Sequence, residues 1–205
     1  MFLPINQLIE EMKADESNLS QTRKNALAHL ADTLVEKKTG DDLQLMFICT
    51  HNSRRSIFAQ VWASVLADHY QLPIKAFSGG TEATAVHENT LKCLEDLGFE
   101  ITSGNDRQNE KVPIKYGEHQ QISCFSKVFD HPKNPQQDFI ALMLCDHAAE
   151  HCPFIPHASA RLNFTFPDPK EFDGTAQEML KYKSVCFDIG HNLNFLFRKL
   201  YKDSK

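Results

Sequence analysis

The chain offers one stretch whose residue types and spacing can do covalent chemistry: FICTHNSRRS, residues 47–56. Cys49 ends an apolar run, and Arg55 follows after five intervening residues. A loop of that length between a strand and a helix can turn its backbone N–H groups inward. It then forms an anion nest that opens onto the helix N-terminus. Arg55 adds a planar fork suited to a tetrahedral oxyanion. The same positive field favours the thiolate of Cys49, the form that attacks. Ser56 can donate a hydrogen bond to that thiolate and Asn52 can brace the loop. Thr50, His51, Ser53 and Arg54 complete the anion-binding and supporting set, with Arg54 a passenger beside the clamp. The competing reading is a core cysteine followed by a helix capped at Ser53, with its arginines in solvent.

Two further positions could take part. Asp168 stands before Pro169 in FPDPKEFDG, which biases it toward an extended conformation on a loop. A carboxylic acid placed there can protonate an oxygen leaving group. Asp173, before Gly174, reads as an ordinary turn. In LMLCDHAAEHCPFIP, Cys145 and Cys152 lie seven apart. That is too long for a Cys-x-x-Cys redox motif, but it suits a short flexible segment that carries a thiol toward Cys49. The same segment admits a metal-binding reading through Cys145, His147, His151, Cys152 and His157. Cys93, Cys124 and Cys186 fall in helix or strand patterns and read as packing residues.

The elements that must position these groups follow from periodicity. LQLMFIC (43–49) and DFIALMLC (138–145) are continuous apolar runs, as expected of buried parallel strands that end on Cys49 and Cys145. IKAFSGGTE (74–82) is a third strand, closing on a Gly-Gly turn. Ile57, Phe58, Val61, Trp62, Val65 and Leu66 mark a helix directly after the loop. Leu91, Leu94 and Leu97 mark another, stopped by Gly98. Residues 1–40 carry two helical stripes with Gly40 as a stop, and 175–201 a C-terminal helix. The polar stretch 103–137 has β-like pieces at 111–116 and 121–129 around Gly117 and reads as an inserted hairpin. Residues 152–174 read as a proline-rich loop. Strands alternating with helices predict an α/β fold, a parallel sheet flanked by helices on both faces. Its reactive site would lie at the carboxyl ends of the strands.

FICTHNSRRSIFAQVWA resembles the phosphate loop of the low-molecular-weight protein tyrosine phosphatases, and more closely that of the thioredoxin-coupled arsenate reductases sharing their fold. FSGGTE, Asp168-Pro169 and the Cys145-x6-Cys152-Pro pattern extend the resemblance over about 43–104 and 138–200. It implies a phosphotyrosine protein phosphatase I-like (Rossmann-like) domain over 43–205, with an insertion at 105–137 and a helical extension at 1–42. It also implies Cys49 as nucleophile, Arg55 as oxyanion clamp and Asp168 as general acid. Cys145 and Cys152 would then relay a disulfide to an external dithiol, thioredoxin being the implied partner, with no bound cofactor or metal. The sequence departs from the pattern in three places. Arg54 stands where the reductases often carry a second cysteine, and His51 where glycine is common. Lys170 and Glu171 stand where the phosphatases usually carry tyrosines.

Composition narrows the alternatives. The 205 residues carry a net charge of −5, which argues against a nucleic-acid footprint. No segment approaches the roughly 18 consecutive apolar residues of a membrane helix. MFLPINQLIEEM lacks the basic and apolar regions of a secretory signal, so a cytoplasmic protein with free thiols is expected. Three functions remain open: an arsenate reductase, a phosphatase using the same loop, or a non-catalytic oxyanion- or metal-responsive protein.

Overall fold

A computed structural model describes residues 1–38, 41–102, 110–146, 148 and 154–203. Two helices come first, α1 (Leu3–Ala14), which starts on Pro4, and α2 (Gln21–Lys37), capped by the Ser20 side chain. Strand β1 (Leu43–Cys49) follows, then α3 (Arg55–Tyr70), β2 (Ile74–Gly80) and α4 (Glu88–Asp96). Three short strands, β3 (Glu100–Ile101), β4 (Val112–Lys115) and β5 (Gln121–Cys124), form a separate antiparallel sheet. Then come β6 (Phe139–Met143), β7 (Ala158–Asn163), a 3-10 turn Pro169–Phe172 and the long helix α5 (Glu178–Asp203).

The main sheet has the order β2-β1-β6-β7, all parallel. Every residue of β6 is buried, as is all of β1 but Gln44, so both faces of these strands are covered. That matches their apolar sequences, which only Gln44 interrupts. The register pairs Cys49 with Gly80 on one side and Ile48 with Met143 on the other. Cys49, the last residue of β1, and Cys145, two residues past the end of β6 and so beyond the strand expected to reach it, thus lie at the same edge of the sheet.

Three readings change. Strand β7 lies inside the stretch expected to be a proline-rich loop. ASARLN has no apolar run because it is the outermost strand, its side chains only half covered. The second β-like piece stops at Cys124 instead of continuing to 129. Beyond it the chain turns to the main sheet, where Gly80 N–H donates to the Lys127 carbonyl at 2.8 Å and Phe129 N–H to the Gly80 carbonyl at 2.9 Å. The C-terminal helix begins at Glu178, three residues later than the periodicity implies. The stop expected at Gly40 lies outside the described residues. Gly98, by contrast, follows the last turn of α4 with φ +96°, a conformation that only glycine adopts without strain.

Helices α1 and α2 bury Ile5, Ile9, Met12, Leu27, Leu30, Ala31 and Leu34 against the body of the protein, mainly on α5. Gly190 makes this possible. A Cβ there would lie 2.6 Å from Met12 Cε and 2.9 Å from the Trp62 ring. Among the described residues no helix is long and apolar enough to cross a membrane.

Candidate active site

The loop between β1 and α3 is built so that its carbonyl groups are taken up from outside. Thr81 N–H donates to the Cys49 carbonyl at 3.1 Å and Glu82 N–H to that of Thr50 at 2.8 Å. Ser126 Oγ donates to the His51 carbonyl at 2.8 Å. His87 N–H and Thr90 Oγ1 both donate to that of Ser53, at 3.1 Å each. A peptide plane that points its C=O outward points its N–H the other way, so the loop turns donors toward its centre. The chain after β2 must come very close to do this. A Cβ at Gly80 would lie 2.2 Å from the Glu82 carbonyl oxygen and 2.7 Å from that of Thr50. The sequence Gly79-Gly80 is thus a requirement of the loop as much as of the strand.

Asn52 carries the one left-handed backbone conformation of the loop, φ 47°. His51, where glycine is common among the reductases, needs no such angle. Asn52 is fully buried, donates from Nδ2 to Ser56 Oγ at 2.8 Å, and accepts from Lys127 N–H at 3.0 Å. Because Ser56 Oγ accepts from Asn52, its own proton is free for Cys49 Sγ at 3.1 Å. Cys49 itself is 4 % exposed.

Arg55 begins α3. Its Nη1 donates to the Phe166 carbonyl at 2.9 Å and its Nη2 to Asp168 Oδ2 at 2.5 Å. Asp168 also accepts from Lys170 N–H and so caps the 3-10 turn. Cys49, Thr50, His51, Ser53, Arg54, Arg55 and Asp168 line one small cavity. The structure therefore brings together the expected loop, arginine and aspartate. Cys145 joins them. It follows β6 opposite Thr50, its Sγ 3.6 Å from Thr50 Oγ1 and accepting from Ala148 N–H at 3.4 Å. Cys152, with His147 and His151, lies outside the described residues. Among the described residues, no three His, Cys, Asp or Glu side chains converge as a metal site.

Two parts of the site were not legible beforehand. Arg54 is no passenger: its Nε donates to the Tyr182 hydroxyl at 2.5 Å and its Nη2 to Asp173 Oδ2 at 2.6 Å. Tyr182 in turn donates to Asp173 Oδ1 at 2.8 Å and meets His87 Nδ1 at 3.2 Å. Burial, and then the Arg54 charge, pull His87 below its ordinary range and favour the neutral ring. The expected turn residue Asp173 is thus also the acceptor of a part-buried network. The second part lies behind Asn52, where the Lys127 ammonium is 3.5 Å from Ser78 Oγ and 4.7 Å from the Phe125 ring centroid. Neither group was foreseeable, since the loop residues that Lys127, Asp173 and Tyr182 meet, Asn52 and Arg54, are 75 to 128 residues away in sequence.

Burial pushes Lys127 down from 10.5 to about 8. Between those values the unfolded chain holds the proton more fully than the folded one, so folding becomes more favourable as pH rises through the window. Comparison with Lys127→Met isolates this contribution from other titrating groups. The stability of the wild type relative to the variant should rise by about 2 kcal/mol between about pH 8 and pH 10 in denaturant melts. A flat difference would mean that the ammonium reaches water.

This chain belongs to the low molecular weight phosphotyrosine protein phosphatase family, whose model matches residues 44–205. An arsenate reductase of Halalkalibacterium halodurans is 28% identical over 151 residues, which is 73% of this chain and 91% of that protein. Among solved structures, a low molecular weight phosphotyrosine phosphatase of Vibrio cholerae superposes with a TM-score of 0.55 at 15% identity, covering 80% of this chain and 99% of that one. An arsenate reductase of Archaeoglobus fulgidus superposes with a TM-score of 0.52 at 18% identity, covering 75% and 98%. Both share the fold.

Proposed function

We propose that the protein is an arsenate reductase that uses Cys49, Cys145 and Cys152 in sequence. The observation that supports this reading is the second thiol: Cys145 Sγ lies 3.6 Å from Oγ1 of Thr50, the loop residue next to Cys49. A phosphatase needs only Cys49, Arg55 and Asp168. It has no use for a thiol there. Among the described residues the cavity also has no phenylalanine, tyrosine or tryptophan in its lining, and Lys170 and Glu171 after the Asp-Pro pair are exposed. A small inorganic oxyanion fits such a site better than an aryl ester.

The reaction then balances on three thiols. The Cys49 thiolate attacks arsenic(V), Asp168 gives its proton to the departing oxygen, and water leaves. Cys145 attacks Cys49 Sγ, and the electron pair of the S–As bond passes to arsenic. Arsenite leaves as As(III), with a Cys49–Cys145 disulfide behind it. Cys152 attacks Cys145 and frees Cys49. An external dithiol of the thioredoxin type reduces the resulting Cys145–Cys152 disulfide. The loop N–H groups and Arg55 hold the oxyanion throughout, aided by Thr50, Asn52, Ser53 and Ser56 as loop and support. The five described cysteines are free thiols, which suits the reducing cytoplasm this chemistry requires.

The test is to measure arsenate turnover with a thioredoxin system beside hydrolysis of p-nitrophenyl phosphate. With Cys145→Ser, arsenate turnover should fall to the rate at which an external thiol alone attacks the Cys49 adduct. Ester hydrolysis should persist. Cys152→Ser should behave alike on arsenate. Unchanged arsenate turnover in both variants would remove the relay, and wild-type protein that hydrolyses the ester but leaves arsenate untouched would leave the phosphatase.

A further inference from the structure

Two arginines adjacent in sequence grip opposite ends of the segment that carries Asp168. Arg55 holds the front, through the Phe166 carbonyl and Asp168, while Arg54 holds the rear, through Asp173. The 3-10 turn Pro169–Phe172 lies between the two grips. Tyr182, from α5, closes the rear grip by accepting from Arg54 and donating to Asp173.

The two grips meet different fates when an oxyanion enters. The anion needs the Arg55 fork, and Asp168 already occupies Nη2 of that fork. Once the anion takes it, Asp168 loses its tether just when it must stand over the leaving oxygen. Arg54 does not face this competition. Its Nε and Nη2 edge is already engaged by Tyr182 and Asp173, and its side chain is 11% exposed, so the pair is poorly screened. We propose that Arg54 is a positioning residue: its bonds to Asp173 and Tyr182 hold the acid segment over the loaded loop after the substrate has claimed Arg55. This rests on Asp168 acting as the general acid.

Arg54→Met, Asp168→Asn and the double variant form a thermodynamic cycle, read by kcat, KM and titration with inorganic phosphate. Arsenate, p-nitrophenyl phosphate and phenyl phosphate serve as substrates. Arg54→Met should lower kcat about tenfold or more while changing the phosphate Kd less than about threefold. The loss should be greater on phenyl phosphate, whose poorer leaving group depends more on the acid. In the Asp168→Asn background, Arg54→Met should cost little more, because Arg54 acts only through Asp168. Asp173→Asn should reproduce the pattern with little change in shape, and Arg54→Lys, lacking the fork, should restore part of kcat.

Several results would overturn the proposal. Phosphate affinity falling in step with kcat would make Arg54 an anion ligand. Equal losses on the two esters, or losses that multiply in the double variant, would cut its link to Asp168. Arsenate inertness with ester hydrolysis intact would remove the reductase reading alone, since the cycle still runs on the esters. Wild-type protein inert on all three substrates would remove both, because no acid step would exist to be positioned.

Discussion

Cys49→Ser should abolish turnover on arsenate and on phosphate esters alike, by about 10⁴-fold or more, without loss of phosphate binding. The two halves of this expectation have separate physical origins. Chemistry needs an ionisable sulfur. A serine hydroxyl in the same place would still be anchored to Ser56, whose proton is directed at the Cys49 position, and that neighbour is a donor and no base. Binding needs the loop donors and the Arg55 fork, and neither depends on sulfur. The loop is held from outside by Thr81, Glu82, Ser126 and His87, and the single-atom exchange touches none of these bonds. Kinetics and phosphate titration on the same sample check both halves. Residual turnover within tenfold of wild type would move the nucleophile elsewhere.

Asp168→Asn carries the second large effect, and its signature is a split of opposite signs. Loss of the acid should lower kcat about 10²- to 10⁴-fold. Phosphate should meanwhile bind more tightly, because the carboxylate now seated on Arg55 Nη2 competes with any incoming oxyanion and repels it. A neutral amide oxygen competes more weakly for Nη2 and carries no charge to repel the anion. A structural role for Asp168 predicts the reverse, because loosening the 3-10 turn it caps would weaken the cavity wall and lower affinity with rate. Steady-state kinetics beside calorimetric titration separates the two, and a fall in affinity would exclude the acid assignment.

The sequence was most informative where structure is local or buried on both sides. LQLMFIC and FIALM announce central parallel strands because, Gln44 apart, nothing in them suits water, and Gly98 announces the end of α4 because its backbone angle admits little else. ASARLN announces nothing, since an outer strand contributes hydrogen bonds with little apolar surface, and those are invisible in composition. The site divides in the same way. Cys49, Asn52, Arg55 and Ser56 sit within one loop and helix turn, so their spacing carries their geometry. Tyr182, Asp173 and Lys127 come to the loop only through the packing of α5 and the chain after β5. A lysine 75 residues downstream of Asn52 has no local mark that distinguishes it from a surface one. Asp173 does sit in a turn, as its place before a glycine suggests, but nothing local marks where its carboxylate points.

Helix α5 has a consequence for how the chain can be divided. From Ile189 to Asn194 six consecutive residues are buried, so no side of the helix is left to water over that span. One side belongs to α3, which carries Arg55 at its first turn, and the other to α1 and α2. The family match starts at residue 44, but a boundary drawn there would cut through a shared interior. The helix is a common wall between two rooms. Arg23 on α2 makes the sharing concrete: it donates to Asn192 on α5 at 2.5 Å and lies over the rings of Phe164 and Phe166, the latter supplying a carbonyl to Arg55. Sequence kinship and mechanical integrity therefore have different borders in this chain, and the mechanical one encloses residues that the kinship leaves out.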